Sequence, residues 1–247
     1  MRYFFANWKM YLDTEESLAL SESISSLSLP RETEGAVFPT SLSFSAVWEK
    51  LANSAWCLGA QNVSWMAKGA YTGAVSALIF KDAGAKYALV GHSERRYIFG
   101  ERDVDVRKKI EAGLEAGLIP VLCVGETKED KDAGKRQYRL KKQLFTALAD
   151  LSLNDRSIIV AYEPVWAISQ GGKGEACAPA DAEDVQGWIK LEMRQYSRQT
   201  IPVLYGGSVN PNNAGSYLAL SSVDGLLVGS AATTLESVRS LLQAFQT

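Results

Sequence analysis

Eight short apolar runs, spaced at intervals of roughly 30 residues and each followed by a helix-like stretch, constrain the fold of this chain more than any other feature. They fall at residues 3–7, 35–39, 56–61, 87–91, 119–124, 158–163, 202–206 and 225–228. Most are near-continuous rather than alternating, the pattern of parallel strands covered on both faces. Helical patterns lie between them, clearest at residues 104–116, 131–151, 180–196 and 235–246. Pro179 followed by Asp181, Glu183 and Asp184 marks a helix start, because proline fits the first turn and acids complement the helix dipole. Eight such units in 247 residues predict a closed (β/α)8 barrel rather than an open doubly wound sheet. No Gly/Ser/Pro-rich linker interrupts the pattern, so residues 1–247 are expected to form a single domain.

Composition removes several classes of function. Hydrophobic residues make up 47% and charged residues 22%, with a formal net charge of -2, which is globular and lacks the basic footprint of a nucleic-acid partner. No run approaches the roughly 18 to 20 apolar residues of a membrane span. The first strand-like run begins at Tyr3, without a signal-peptide layout. Cys57, Cys123 and Cys177 are far apart and in no ligand spacing, and there is one histidine, so no metal site is expected. No G-x-G-x-x-G follows the first strand, which argues against a dinucleotide cofactor. These features predict a reduced, cytoplasmic protein.

In a barrel of this kind the reactive residues gather at the C-terminal ends of the strands. The first run ends at Asn7, with Lys9 just beyond. The fourth ends at the single histidine, His92, and the sixth at Glu163, immediately before Pro164. The seventh runs into Tyr205-Gly206-Gly207-Ser208 and the eighth into Gly229-Ser230. A carboxylate, an imidazole and a lysine would converge at one rim, beside glycine-rich turns whose N–H groups suit an anion. Each residue also has an ordinary reading: Glu163 as a solvated strand cap, Lys9 as a surface charge, Gly206-Gly207 as a tight turn, His92 as a structural imidazole. Their repeated placement at successive strand ends favours the joint reading.

Several blocks, in order, resemble the triosephosphate isomerase family from Ala6 to the C-terminal helix. They are Ala6-Asn7-Trp8-Lys9-Met10, Gly59-Ala60-Gln61-Asn62-Val63, the stretch from Val90 to Arg96, and Leu122-Cys123-Val124-Gly125-Glu126-Thr127. Residues 161–168 and Tyr205-Gly206-Gly207-Ser208-Val209 complete the set. The resemblance implies a (β/α)8 TIM barrel that interconverts dihydroxyacetone phosphate and D-glyceraldehyde 3-phosphate through an enediolate, in glycolysis and gluconeogenesis, without a cofactor. Glu163 would be the base, and His92 a neutral hydrogen-bond donor to the developing oxyanion. Lys9 would supply positive charge and pair with Glu94, while Asn7 would orient the substrate. Ser169, Ser208, Gly229 and Ser230 would meet the phosphate. The stretch 61–75 resembles the family's protruding loop, which implies a homodimer in which Thr72 approaches the neighbour's Asn7 and Lys9.

Two departures from the family pattern stand out. Residues 163–179 resemble its lid, yet Ala167-Ile168-Ser169-Gln170-Gly171-Gly172-Lys173-Gly174-Glu175 is longer and richer in glycine than the usual Ala-Ile-Gly-Thr-Gly-Lys-Thr-Ala. Ser230 stands where a second glycine is usual. Both bear on efficiency rather than on reaction type. Two competing readings are a phosphate-binding barrel without turnover and a Schiff-base aldolase using Lys9.

Overall fold

The computed structural model describes residues 1–153, 156–168 and 177–246. Eight strands, β1 (Arg2–Asn7), β2 (Thr33–Phe38), β3 (Trp56–Ala60), β4 (Tyr87–Val90), β5 (Ile119–Val124), β6 (Ile159–Tyr162), β7 (Val203–Tyr205) and β8 (Gly225–Val228), form a closed barrel. Each pairs in parallel with the next, and β1 closes on β8. Parallel neighbours need a crossover, and helices supply it. The helices are α1 (Thr14–Ser25), α2 (Phe44–Leu51), α3 (Ala77–Asp82), α4 (Ser93–Tyr97), α5 (Asp103–Glu115), α6 (Lys128–Asp132), α7 (Arg136–Leu148), α8 (Pro179–Met193), α9 (Ala214–Leu218) and α10 (Leu235–Ala244). The (β/α)8 barrel predicted from the spacing of the apolar runs is therefore observed.

The continuous apolar runs have a simple cause: both faces of every strand are covered. Phe5, Ala36, Phe38, Tyr87, Leu89, Val121, Cys123, Ile159, Ala161, Leu204 and Leu227 fill the barrel interior. Their sequence neighbours, among them Phe4, Val37, Ala88, Leu122, Val160 and Leu226, face the helices in a second cluster. This is the period-two alternation of a strand, with both faces apolar. Phe5 packs in the interior against Phe38 and Tyr87, at ring-centroid separations of 5.5 and 4.6 Å. Fully burying a side chain of this size contributes about 2–3 kcal/mol, so the interior is a packed plug and the open end of the barrel lies above it.

The helical reading of residues 131–151 needs correction. The chain forms two helices there, α6 and α7, divided at Gly134, whose φ of 67° lies in the left-handed region. Glycine enters that region without the steric cost other residues bear, so α6 stops and α7 restarts at Arg136. By contrast α8 starts at Pro179, with Asp181 in its first turn, as its sequence predicts. No helix of the described residues is long and apolar enough to cross a membrane.

Candidate active site

The C-terminal ends of the strands enclose an open pocket of about 450 Å³, lined among others by Asn7, Lys9, His92, Glu163, Ser208, Gly229 and Ser230. The residues expected at the strand ends, His92 among them, thus reach one cavity.

Glu163 follows β6 and is 1% exposed. Its N–H donates to the Val124 carbonyl at 2.8 Å, which ties it to the end of β5. A Cβ on Gly125 would sit 1.7 Å from the Glu163 carbonyl oxygen, so glycine there is what lets the two strand ends approach. The Oε2 atom accepts the Ser93 backbone N–H at 2.9 Å. Oε1 has no hydrogen-bond partner, although His92 Nε2 lies 3.1 Å away. A buried carboxylate oxygen without a partner, facing a cavity, is a proton acceptor held ready.

His92, 6% exposed, is the N-cap of α4. Its Nδ1 accepts the Glu94 backbone N–H at 3.2 Å, while the Glu94 carboxylate is farther off at 3.6 Å. A nitrogen that accepts carries no proton, so this contact assigns the tautomer with its proton on Nε2.

Lys9 adopts a φ of 51°, unusual for a non-glycine residue. Its N–H donates to Asn7 Oδ1 at 3.1 Å, and its carbonyl accepts from Gln61 Nε2 at 2.7 Å. Its ammonium pairs with Glu94 at 2.7 Å. The expected Lys9–Glu94 pair is present, and Gln61, which also donates to the Phe38 carbonyl at 2.9 Å, fixes the lysine's backbone. Gln61 follows β3 directly, so the strand-end rule applied there would have found it.

Ser208 is engaged differently from the phosphate role the resemblance implies. Its N–H and its hydroxyl both donate to the Ala167 carbonyl, at 3.2 and 2.6 Å. Gly229 lies over the Lys9 side chain, and Ser230 begins a 3-10 turn (Ser230–Ala232) whose N-terminus borders the pocket. Thr72 is exposed, on the stretch between β3 and α3, and does not line this pocket. Ser169 and the glycine-rich departure in residues 169–176 lie outside the described residues.

Packed against the segment that follows Glu163 is a residue that no strand-end reading singled out. Glu126, 0% exposed, accepts from Trp166 Nε1 at 2.8 Å and from Tyr162 Oη at 3.1 Å. Burial raises its pKa, against the pull of Trp166, Arg136 and Tyr162 towards the charged form. It sits two residues past β5, again where the strand-end rule would look.

A (β/α)8 barrel with a buried carboxylate, a neutral imidazole and a paired lysine around one cavity defines a class: enzymes that move protons on a small anionic substrate. The sequence profile of the triosephosphate isomerase family matches residues 2–245. The chain is similar to the triosephosphate isomerase of Trichodesmium erythraeum, at 39% identity over 238 residues covering 96% of this chain and 95% of that protein. It is similar to the triosephosphate isomerase of Dehalococcoides mccartyi strain BAV1, at 40% over 240 residues and 95% and 92% of the two chains. With the protein of the same name from Acidithiobacillus ferrooxidans it shares 41% over 231 residues, 91% and 89% of the two chains. The chain belongs to the triosephosphate isomerase family.

Proposed function

We propose that this chain interconverts dihydroxyacetone phosphate and D-glyceraldehyde 3-phosphate by proton transfer through an enediolate, with Glu163 as the base. The observation that carries the reading is the unpartnered Oε1 of buried Glu163, 3.1 Å from Nε2 of the chain's single histidine. Glu163 removes the proton from the carbon beside the carbonyl and returns it to the neighbouring carbon. Charge then develops on two oxygens, and it must be stabilised as it forms. His92 donates its Nε2 proton there and passes protons between the oxygens, and Lys9 contributes positive charge. Asn7 orients the substrate through the cavity wall. Ser208, Gly229 and Ser230, with Ser169, hold the phosphate, which requires Ser208 to exchange its contact with Ala167 for the ligand. No step in this scheme calls for a metal or an organic cofactor.

An aldolase using Lys9 needs an amine free to attack a carbonyl, whereas the Lys9 side chain is engaged by Glu94 at 2.7 Å. A steady-state assay with glyceraldehyde 3-phosphate tests the reading. Formation of dihydroxyacetone phosphate is expected, whereas binding without conversion would return the chain to the class of phosphate-binding barrels.

The reading extends to assembly and place. Met10, Tyr11, Trp65, Tyr71, Ile98 and Phe99 are exposed, Met10 at 92%. Large apolar side chains left bare on one chain suit an interface, here a second copy of the chain meeting through residues 61–75, with Thr72 near the neighbour's Asn7 and Lys9. Sedimentation is expected to give a dimer, and trimming residues 61–75 a monomer whose activity is lower by on the order of tenfold or more through misplaced Lys9. A wild-type monomer of full activity would end that proposal. Three free cysteines fit a reducing compartment and hence the cytoplasm, in glycolysis and gluconeogenesis.

A further inference from the structure

We propose that Arg136 is a positioning residue for the reaction: it closes a ring of side chains, Trp166–Glu126–Arg136–Asp181–Lys131, that fixes the segment leaving Glu163 to the first turn of α8. The proposal rests on the reading of Glu163 as the base.

The ring can be followed contact by contact. Arg136 is the first residue of α7 and donates through Nη1 and Nη2 to the two oxygens of Asp181, at 2.8 and 3.1 Å. This forked geometry is specific to a guanidinium. Its Nε forms an ion pair at 3.1 Å with Glu126 Oε1, without the alignment of a hydrogen bond, and that oxygen accepts the Trp166 indole N–H. Lys131, at the other side, is 3.4 Å from Asp181 and stands over the Trp166 ring with its ammonium 3.3 Å from the centroid. Trp166 is thus held at its edge by an anion and on its face by a cation, and Asp181 joins the two holders through Arg136 and Lys131.

The position of this ring gives it consequence. Trp166 lies in the 3-10 turn Val165–Ala167, three residues after the proposed base. The turn is also tied by Val165 N–H to the Glu126 carbonyl at 3.1 Å, and by the Ala167 carbonyl to Ser208. Asp181 belongs to the turn by which the chain enters α8. Arg136 therefore joins the structure on both sides of residues 169–176. Its pair with Glu126 is the demanding one, because a fully buried carboxylate that loses its cation is left uncompensated. Trp166 would then lose the fixed acceptor at its edge, and errors near 1 Å in such placement cost rate.

The test compares Arg136→Met with Arg136→Lys. Methionine keeps length and removes charge, and lysine keeps charge without the fork. Turnover is expected to fall about tenfold in Arg136→Met with KM within about twofold, and to recover partly in Arg136→Lys. In chain labelled with ¹⁵N-tryptophan, the indole signal that disappears in Trp166→Phe should shift in Arg136→Met while the other five of the six tryptophans keep theirs. If Arg136→Met does not fold, Asp181→Asn opens the ring from its exposed side and should move the same signal and kcat in the same direction. Unchanged kcat and an unmoved Trp166 signal would overturn the proposal. So would a loss accompanied by shifts of all six indoles and not relieved by lysine, which marks a general structural role. Failure of the underlying base reading is separate: Glu163→Asp would then turn over normally, whatever the Trp166 signal does.

Discussion

Shortening Glu163 to aspartate is expected to lower turnover on the order of a hundredfold and to leave the fold and phosphate affinity close to those of the parent. The charge is kept, so the change isolates position. In the parent, Oε2 is anchored on the Ser93 N–H at 2.9 Å and Oε1 faces the pocket beside His92. An aspartate loses one methylene of reach from a backbone fixed by the Val124 carbonyl, so the carboxylate cannot meet both the anchor and the substrate carbon. Steady-state kinetics with both triose phosphates check this: kcat should fall much further than KM changes. Undiminished turnover would remove Glu163 from the role of base.

His92→Gln is expected to reduce turnover by on the order of a hundredfold to ten-thousandfold, again with a smaller effect on KM. A glutamine amide can offer an N–H to an oxyanion, but it cannot take up and release a proton between two oxygens. The chain has no second histidine to take over. The helix start that His92 caps is held also by the backbone bond from Arg96 N–H to its carbonyl at 3.1 Å, so the substitution should leave α4 in place. Kinetics equal to the parent's would assign His92 to structure alone.

The sequence carried the barrel because its physics is local and repeated. Residues such as Phe4 and Phe5, buried on opposite faces of one strand, leave an unbroken apolar signature. Polar residues that interrupt it at Asn7, His92 and Glu163 are therefore visible without any knowledge of contacts. The same rule reaches Gln61, directly after β3, and Glu126, two residues past β5, in principle; an amide is seldom sought in proton transfer, and the partners of Glu126 on Trp166 and Tyr162 are visible only in the fold. Other features depend on distance in space. Arg136 and Asp181 are 45 positions apart, and nothing in either stretch of sequence announces the fork between them. Ser208 is chemically able to meet a phosphate, and only the fold reveals its hydroxyl on the Ala167 carbonyl. The break at Gly134 was concealed by helix-favouring residues on both sides, where one left-handed residue outweighs the pattern.

The central claim is that a carboxylate moves a proton between adjacent carbons through an enediolate. Conversion of glyceraldehyde 3-phosphate in D2O, followed by proton NMR, tests it most directly. A proton held on Glu163 can exchange with solvent before it is returned, so a fraction of the dihydroxyacetone phosphate should carry one deuterium at the carbon that received it, and Glu163→Asp should slow isomerisation and exchange together. Absence of product, or product free of deuterium at every extent of conversion, would contradict the account.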